Sequence, residues 1–213
     1  MKTAIIIPAY NEEKTIRKVV QESSLYGNVI VINDGSNDNT LSILQKLDCK
    51  IITNKRNLGY DLSLNKGFLY CINQNYDYIL TIDADDQHKS SDLERLIIYL
   101  NSNFKVVIGS RLKYQRFSEY IFSFFSSIFF NVKDPLCGLK GYNAKAAKDI
   151  IKKLDSDSCG TELAMRLIQN KQNYISIDIE INDRADSSRF GGILANIKII
   201  QGILKLIKIK IGL

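Results

Sequence analysis

Histidine occurs once in this 213-residue chain, proline twice and tryptophan not at all. The lone His88 excludes any site built from several histidines, and any paired Cys/His metal arrangement. The four cysteines, Cys49, Cys71, Cys137 and Cys159, are far apart and form no Cys-x-x-Cys pair. That excludes a zinc ribbon and a disulfide scaffold, and it fits a reducing compartment. No stretch of about 18 uncharged apolar residues occurs, so no bilayer-spanning helix is expected. The N-terminus runs directly into a strand pattern without the layout of a signal peptide. Internal repeats and low-complexity linkers are missing too. Little proline and abundant Ile, Lys and Asn carry the compositional mark of an AT-rich bacterial genome.

What the chain does have is a 45 % hydrophobic fraction, a net charge of +6 and a pI near 9.0. The length suits one domain with a small appendage, and the apolar content supports a sizeable core. A basic surface admits anionic partners: phosphates, nucleotides, nucleic acid, acidic lipid headgroups. No basic run interleaved with aromatics occurs outside the C-terminal stretch, so nucleic acid is not an expected partner.

Apolar strand patterns alternate with helical ones. Strands are expected at 4–7, 28–32, 50–53, 78–82 and 105–108. Helices are expected between them at about 11–24, 39–47, 60–73 and 91–100. This is the signature of βαβ units: an α/β fold with a mostly parallel sheet covered on both faces. Farther on, 117–130 reads as an aromatic-rich helix, 134–138 as a turn and short strand, 159–170 as a helix and 174–181 as a strand. Ligands of such sheets bind beyond the carboxyl ends of the strands. Three turns fall there: Pro8-Ala9-Tyr10-Asn11-Glu12, Asn33-Asp34-Gly35-Ser36 and Asp83-Ala84-Asp85.

The last of these is the most informative. Asp83 and Asp85 follow an apolar strand, and in extended backbone residues i and i+2 face the same side. Two convergent carboxylates repel unless a hard cation lies between them, and Mg²⁺ or Mn²⁺ suits oxygen ligands. Gln87 continues the alternation and could add a neutral oxygen. An ion held by so few protein groups takes its other ligands from substrate phosphates. A solvated acidic turn is the plainer alternative.

Eight segments in order resemble the GT-A glycosyltransferases of family 2, in the branch similar to dolichyl-phosphate mannose synthase. They are 7–12, 31–36, Asn57-Leu58-Gly59 with Lys66-Gly67, 83–88, Gly109-Ser110-Arg111, 134–140, Glu162-Leu163 and Arg184 to Arg189. The resemblance implies a GT-A (nucleotide-diphospho-sugar transferase, Rossmann-like) catalytic domain over residues 1–190. It implies a UDP- or GDP-linked sugar donor. Pro8, Ala9, Tyr10 and Glu12 would line the nucleotide pocket, with Ile32 and Asp34 at the base. Asp83, Ala84, Asp85 and Gln87 would lie at the Mg²⁺ or Mn²⁺ and the donor diphosphate. Arg111, Arg184 and Arg189 would clamp phosphates, Asp85 and Arg111 serving catalysis directly. In relatives the last motif ends Ser-Lys; here Ser188-Arg189 stands in its place, one residue closer to the first arginine.

The acceptor is read from a difference. Many family members carry a Glu-Asp pair before the late helix, where a sugar hydroxyl needs a base. Here that stretch reads Ser158-Cys159-Gly160-Thr161-Glu162-Leu163. A phosphate acceptor is already ionised and needs no base, so a polyprenyl (dolichyl- or undecaprenyl-type) phosphate is expected. Glu162 or Asp134 serving a glycan hydroxyl, in surface polysaccharide synthesis, is the alternative. Residues 191–213 read as an amphipathic helix with Lys198, Gln201, Lys205 and Lys208 on one stripe. It would rest on an anionic membrane surface or pack on the domain, and the aromatics of 120–130 would shelter a lipid tail or fill the core. The chain is thus expected to be cytoplasmic and peripheral on the inner face of the membrane.

Overall fold

The computed structural model describes residues 1–114, 117–154, 159–182 and 192–211. At its centre lies β1 (Thr3–Ala9), whose run Ala4-Ile5-Ile6-Ile7 is wholly buried. Alternate side chains of one strand serve opposite faces. Ala4 and Ile6 join the core on one side of the sheet, Ile5 and Ile7 the core on the other. Each such buried isoleucine contributes about 1.5–3 kcal/mol. A strand apolar on both sides can only sit inside a three-layer sandwich.

β2 (Asn28–Asn33) and β4 (Tyr78–Thr81) flank β1 in parallel, and β3 (Lys50–Thr53) pairs outside β2. Beyond β4 come β6 (Lys140–Asn143), β5 (Val106–Arg111) and β7 (Tyr174–Ile179), giving the order β3-β2-β1-β4-β6-β5-β7. Only β6 runs antiparallel to its neighbours. The short strand expected at 134–138 is instead a turn, and the strand begins at Lys140. Its sequence, Lys-Gly-Tyr-Asn, has no apolar run. β4 and β5 leave a gap of one strand between them, and Gly141 fits it: a Cβ there would come 3.0 Å from Leu80 Cδ2.

On one face lie α3 (Tyr60–Asn73), α6 (Ala144–Ile151) and α7 (Cys159–Gln169). α1 (Ile16–Ser23), α2 (Thr40–Leu44) and α4 (Asp92–Asn101) cover the other. α3 approaches β1 closely because of Gly67, where a Cβ would stand 2.5 Å from Ile6 Cγ2. α6 has no counterpart among the expected elements; it follows β6 directly and is capped by the Asn143 side chain accepting from the Ala146 N–H. α1 starts five residues later than expected. Asn11 is left-handed (φ 54°), and the next residues form a turn closed by Thr15 and Ile16 N–H on the Glu12 carbonyl.

α5 (Phe117–Phe130) and α8 (Gly192–Ile211) pack together at the margin, α8 also touching α7. Ile203, Leu206 and Ile209 of α8 face inward. Lys205, expected on an outward stripe, turns instead to Glu162 at 2.8 Å. No described helix is long and apolar enough to cross a membrane.

Candidate active site at the carboxyl edge of the sheet

The ends of β1, β2 and β4 meet at one edge, and each delivers one expected segment. After β1, the turn from Pro8 to Glu12 is fastened to the loop after β2. The Asn11 N–H donates to Ser36 Oγ (3.0 Å), Glu12 N–H to Thr40 Oγ1 (2.7 Å), and Asn37 N–H to Asn11 Oδ1 (2.8 Å). Pro8 and Ala9 are buried, while Tyr10 and Glu12 are half-buried at the rim. Ile32 is wholly buried in the core beneath Asp34.

Asp34, 3 % exposed, accepts three hydrogen bonds. Asn54 Nδ2 (2.7 Å) and Leu58 N–H (2.9 Å) reach Oδ1, and Gly59 N–H (2.8 Å) reaches Oδ2. A buried carboxylate needs such donors. They take three of about four acceptor sites of the group, leaving one on Oδ2 for a ligand N–H. Asp34 thereby shapes the Asn57-Leu58-Gly59 loop, where Gly59 adopts φ 96°. Lys66 on α3 completes the chain by donating to Asn54 Oδ1.

β4 ends at Thr81, so Asp83 and Asp85 are not on a strand; Ala84 and Asp85 form a turn and Asp86 is left-handed at φ 60°. Extended-strand alternation therefore does not orient the pair. The loop itself does. Asp83 Oδ1 accepts from the Tyr60 hydroxyl (2.9 Å), and Oδ2 lies 3.4 Å from His88 Nε2. Gly138 lies directly against it: a Cβ there would be 2.1 Å from Asp83 Oδ2. Asp85 Oδ1 accepts from the Gln87 N–H at 3.2 Å, and the Ala84 carbonyl accepts from Thr15 Oγ1 at 2.7 Å. Gln87 Nε2 and His88 Nδ1 are buried without a protein partner.

Burial alone would raise the Asp83 carboxyl, but His88, the Tyr60 hydroxyl and the nearby Lys140 charge outweigh it and hold it below its ordinary value. Burial and the Asp83 carboxylate push the Tyr60 phenol well above its own. Lys140, 4 % exposed, is pulled down by burial, against the opposing influence of Cys137, Asp134 and Asp83. Its ammonium donates to the Cys137 carbonyl. Tyr60, His88 and Lys140 were not singled out as site residues from the sequence. Tyr60 and Lys140 come from other segments, and only the fold brings them to Asp83; His88 shares the 83–88 segment and reaches Asp83 across the turn at 84–86. Among the described residues no group of three or more His, Cys, Asp or Glu is arranged to hold a metal ion. The donors here are carboxylate and amide oxygens, suited to a hard cation that takes further ligands from phosphate.

Arg111, expected as a phosphate clamp, has its fork closed on Asp134. Nε and Nη2 reach Oδ2 and Oδ1 at 2.7 and 3.0 Å, with Glu119 Oε2 at 3.8 Å from Nη1. Burial opposes its charge, but the Asp134 carboxylate outweighs this and raises Arg111 further. Glu162, 1 % exposed, is held by Arg166 Nε (2.7 Å) and Lys205 Nζ (2.8 Å). Arg184 and Arg189 lie outside the described residues. The chain leading to them is fastened to the aspartate loop, Asn182 N–H donating to the Gln87 carbonyl at 2.8 Å.

Comparison with known proteins identifies the family and the fold. An uncharacterised protein of Methanocaldococcus jannaschii is 32 % identical, the match covering 85 % of this chain and 90 % of that one. The UDP-N-acetylglucosamine–dolichyl-phosphate N-acetylglucosaminyltransferase of Methanococcus voltae is 27 % identical over 95 % of this chain and 94 % of its own. Glucosyl-3-phosphoglycerate synthase of Mycobacterium tuberculosis, solved with Mn²⁺, UDP and glucosyl-3-phosphoglycerate, superposes with a TM-score of 0.76. It is 13 % identical, covering all of this chain and 80 % of that one, and so supports the GT-A fold alone. The profile described as Glycosyl transferase family 2 matches residues 4–157. The chain is a glycosyltransferase and belongs to glycosyl transferase family 2.

Proposed function

We propose that this enzyme moves a sugar from a nucleoside diphosphate sugar to a polyprenyl phosphate, with inversion at the anomeric carbon. Tyr10 packs on the base or ribose, and Asp34 offers its remaining acceptor site to a ring N–H of the base. Asp83 and Asp85, with Gln87, hold Mg²⁺ or Mn²⁺ against the donor diphosphate. The bound cation supplies Lewis-acid neutralisation of the charge that develops on the leaving group. The Methanococcus voltae relative acts on a dolichyl phosphate by its name, and the mycobacterial neighbour was solved with Mn²⁺ and UDP.

The observation that carries the acceptor class is the state of Asp134 and Glu162. Both are 1 % exposed, Asp134 under the Arg111 fork and Glu162 between Arg166 and Lys205. A base for a sugar hydroxyl must be within hydrogen-bond reach of the proton it takes. Neither carboxylate is open to one. An acceptor phosphate brings an ionised oxygen and gives up no proton. That oxygen attacks the anomeric carbon, the bond from that carbon to the diphosphate oxygen breaks, and its electron pair leaves with the nucleoside diphosphate. Arg184 and Arg189 are the candidate phosphate contacts; Arg111 acts by fixing Asp134 and the end of β5. The acceptor lipid places the working enzyme on a membrane surface.

A panel of UDP- and GDP-sugars with Mn²⁺, run with and without a short polyprenyl phosphate, tests the reading. Transfer to the lipid phosphate by one donor class is expected. Transfer to a glycan hydroxyl with none to the lipid phosphate would overturn it.

A further inference from the structure

α5 is built inside out. Its buried residues are Ser118, Glu119, Phe122, Ser126 and Phe130. Its exposed ones are Phe117, Tyr120, Phe124 and Ile128, one per turn, each between 51 and 80 % exposed. Two serines and a carboxylate thus face inward while four large apolar side chains face out, where a surface helix does the reverse. The inward polar groups are matched. Ser126 Oγ donates to the Val132 carbonyl at 2.7 Å, and Glu119 Oε2 lies 3.8 Å from Arg111 Nη1.

α8 lies along α5, with Gly202 against the Phe122 ring and Lys210 Nζ on the Phe129 carbonyl at 2.8 Å. It adds Leu204 and Ile211, 61 and 63 % exposed, to the same margin. Exposed lysines accompany these side chains: Lys113 before α5, Lys133 after it, Lys208 and Lys210 on α8. Among the described residues no carboxylate pairs with any of the four. α8 has no acidic residue, and the one acid of α5 is Glu119, turned inward. The two helices therefore present apolar side chains and positive charge, with no exposed acid.

A second copy of the chain docked here would set lysines against lysines, since a two-fold contact opposes a patch to itself. An anionic lipid surface suits both parts. Ammonium groups stay among the headgroups, and aromatic and aliphatic side chains enter the acyl boundary. The layer also adjoins the site. With the starts of α3 and α7 and the 134–138 turn, α5 and α8 wall a cavity of about 210 Å³, and Tyr60 on its lining reaches Asp83 at 2.9 Å.

We propose that the outer face of α5, with the exposed side of α8, docks this protein on an anionic lipid membrane. Phe117, Tyr120, Phe124 and Ile128 enter the bilayer boundary, and the four lysines meet the headgroups. The inference rests on the reading of the acceptor as a lipid phosphate, and it names the face that meets the lipid.

The chain contains no tryptophan, so a single introduced one reports its own surroundings. Phe124→Trp places it on the stripe; Leu25→Trp places it beyond α1, on the other side of the sheet. Each is titrated with acceptor-free vesicles of phosphatidylcholine, with and without about 30 % phosphatidylglycerol. On anionic vesicles the Phe124→Trp emission is expected to move to shorter wavelength and to be quenched by lipids brominated in the acyl chain. The Leu25→Trp emission stays as in buffer. Replacing Phe117 and Ile128 together by serine lowers the vesicle partition coefficient about 10–100-fold, with melting temperature and donor hydrolysis retained. Raising NaCl to about 0.5 M lowers it about tenfold.

No shift of Phe124→Trp on anionic vesicles overturns the proposal, as does an equal shift of Leu25→Trp. A dimer that the serine pair dissolves, in a protein that ignores vesicles, assigns the face to a second copy and overturns it too. Glycosylation of farnesyl phosphate in solution is measured in parallel. Transfer without vesicle binding sinks the docking face alone. Vesicle binding without transfer to any lipid phosphate supports the face and sinks the acceptor reading.

Discussion

Asp34 and Asp83 sit beyond the ends of the two strands that flank β1, and the protein uses them differently. Asp34 is buried under three N–H donors and builds the loop after β3. Asp83 touches a hydroxyl and an imidazole and faces the half-exposed side of the edge. Asp85 has a backbone contact that asparagine can keep through its carbonyl. Asp85→Asn is therefore expected to fold normally and to lose about 10²–10³ in kcat, read from nucleoside diphosphate release. Arg111→Met makes a contrasting prediction. It leaves Asp134 buried without its fork and is expected to cost about 3–5 kcal/mol in urea denaturation. A direct phosphate clamp would instead raise the donor KM with stability retained. The Asp-x-Asp pair was legible in the sequence because its members are neighbours. Tyr60 and Lys140 were not, since Asp83 comes from another segment, and Lys205 meets Glu162 only through the packing of α8; His88 shares the 83–88 segment with Asp83, but only the turn between them brings its imidazole to the carboxylate. The expected role of Arg111 was plausible by its place after β5, but Asp134, 23 residues on, occupies its fork.

At the scale of elements, glycines set how closely the layers approach the site. Gly138→Ala puts a methyl within 2.1 Å of Asp83 Oδ2, so the carboxylate must turn from Tyr60 and His88 or the 134–138 turn must move. Turnover is expected to fall at least about tenfold, with a stability loss of about 1–3 kcal/mol. Circular dichroism melts alongside kinetics separate the two effects. β3 and α3 were read from the sequence at their observed limits, Lys50–Thr53 and Tyr60–Asn73, because an apolar pattern fills each between polar turns. α1 was read too long because Asn11 and Glu12 spend their N–H groups on Ser36 and Thr40 across the edge. β6 was displaced because its four residues carry no strand signal; its pairing is imposed by β4 and β5. α8 left two readings open in sequence, and the structure packs its inward face on α5 and α7.

The molecule as a whole keeps all four cysteines free, three of them buried. Burial pushes the Cys71 and Cys137 thiols up from an ordinary 9.0 to about 12. The folded state thus binds these protons more tightly than the unfolded state. Their contribution to stability is complete below pH 9.0 and is lost as pH rises toward about 12. Urea midpoints are expected to fall across that alkaline range, and Cys71→Ala or Cys137→Ala to flatten the slope. At this scale the α/β class and the carboxyl edge where the three expected turns gather were legible from the sequence, since both follow from alternating apolar strands and helices. The cavity under α8 was not legible, because it forms only when five distant segments pack. The central claim is that Asp83 and Asp85 bind a divalent ion together with a nucleoside diphosphate. Titrating Mn²⁺ into the protein with UDP or GDP, while following the EPR signal of the free ion, tests it most directly. One nucleotide is expected to draw Mn²⁺ onto the wild-type protein and to leave it free with Asp83→Asn or Asp85→Asn. Equal uptake by these variants, or uptake indifferent to the nucleotide, would contradict the account.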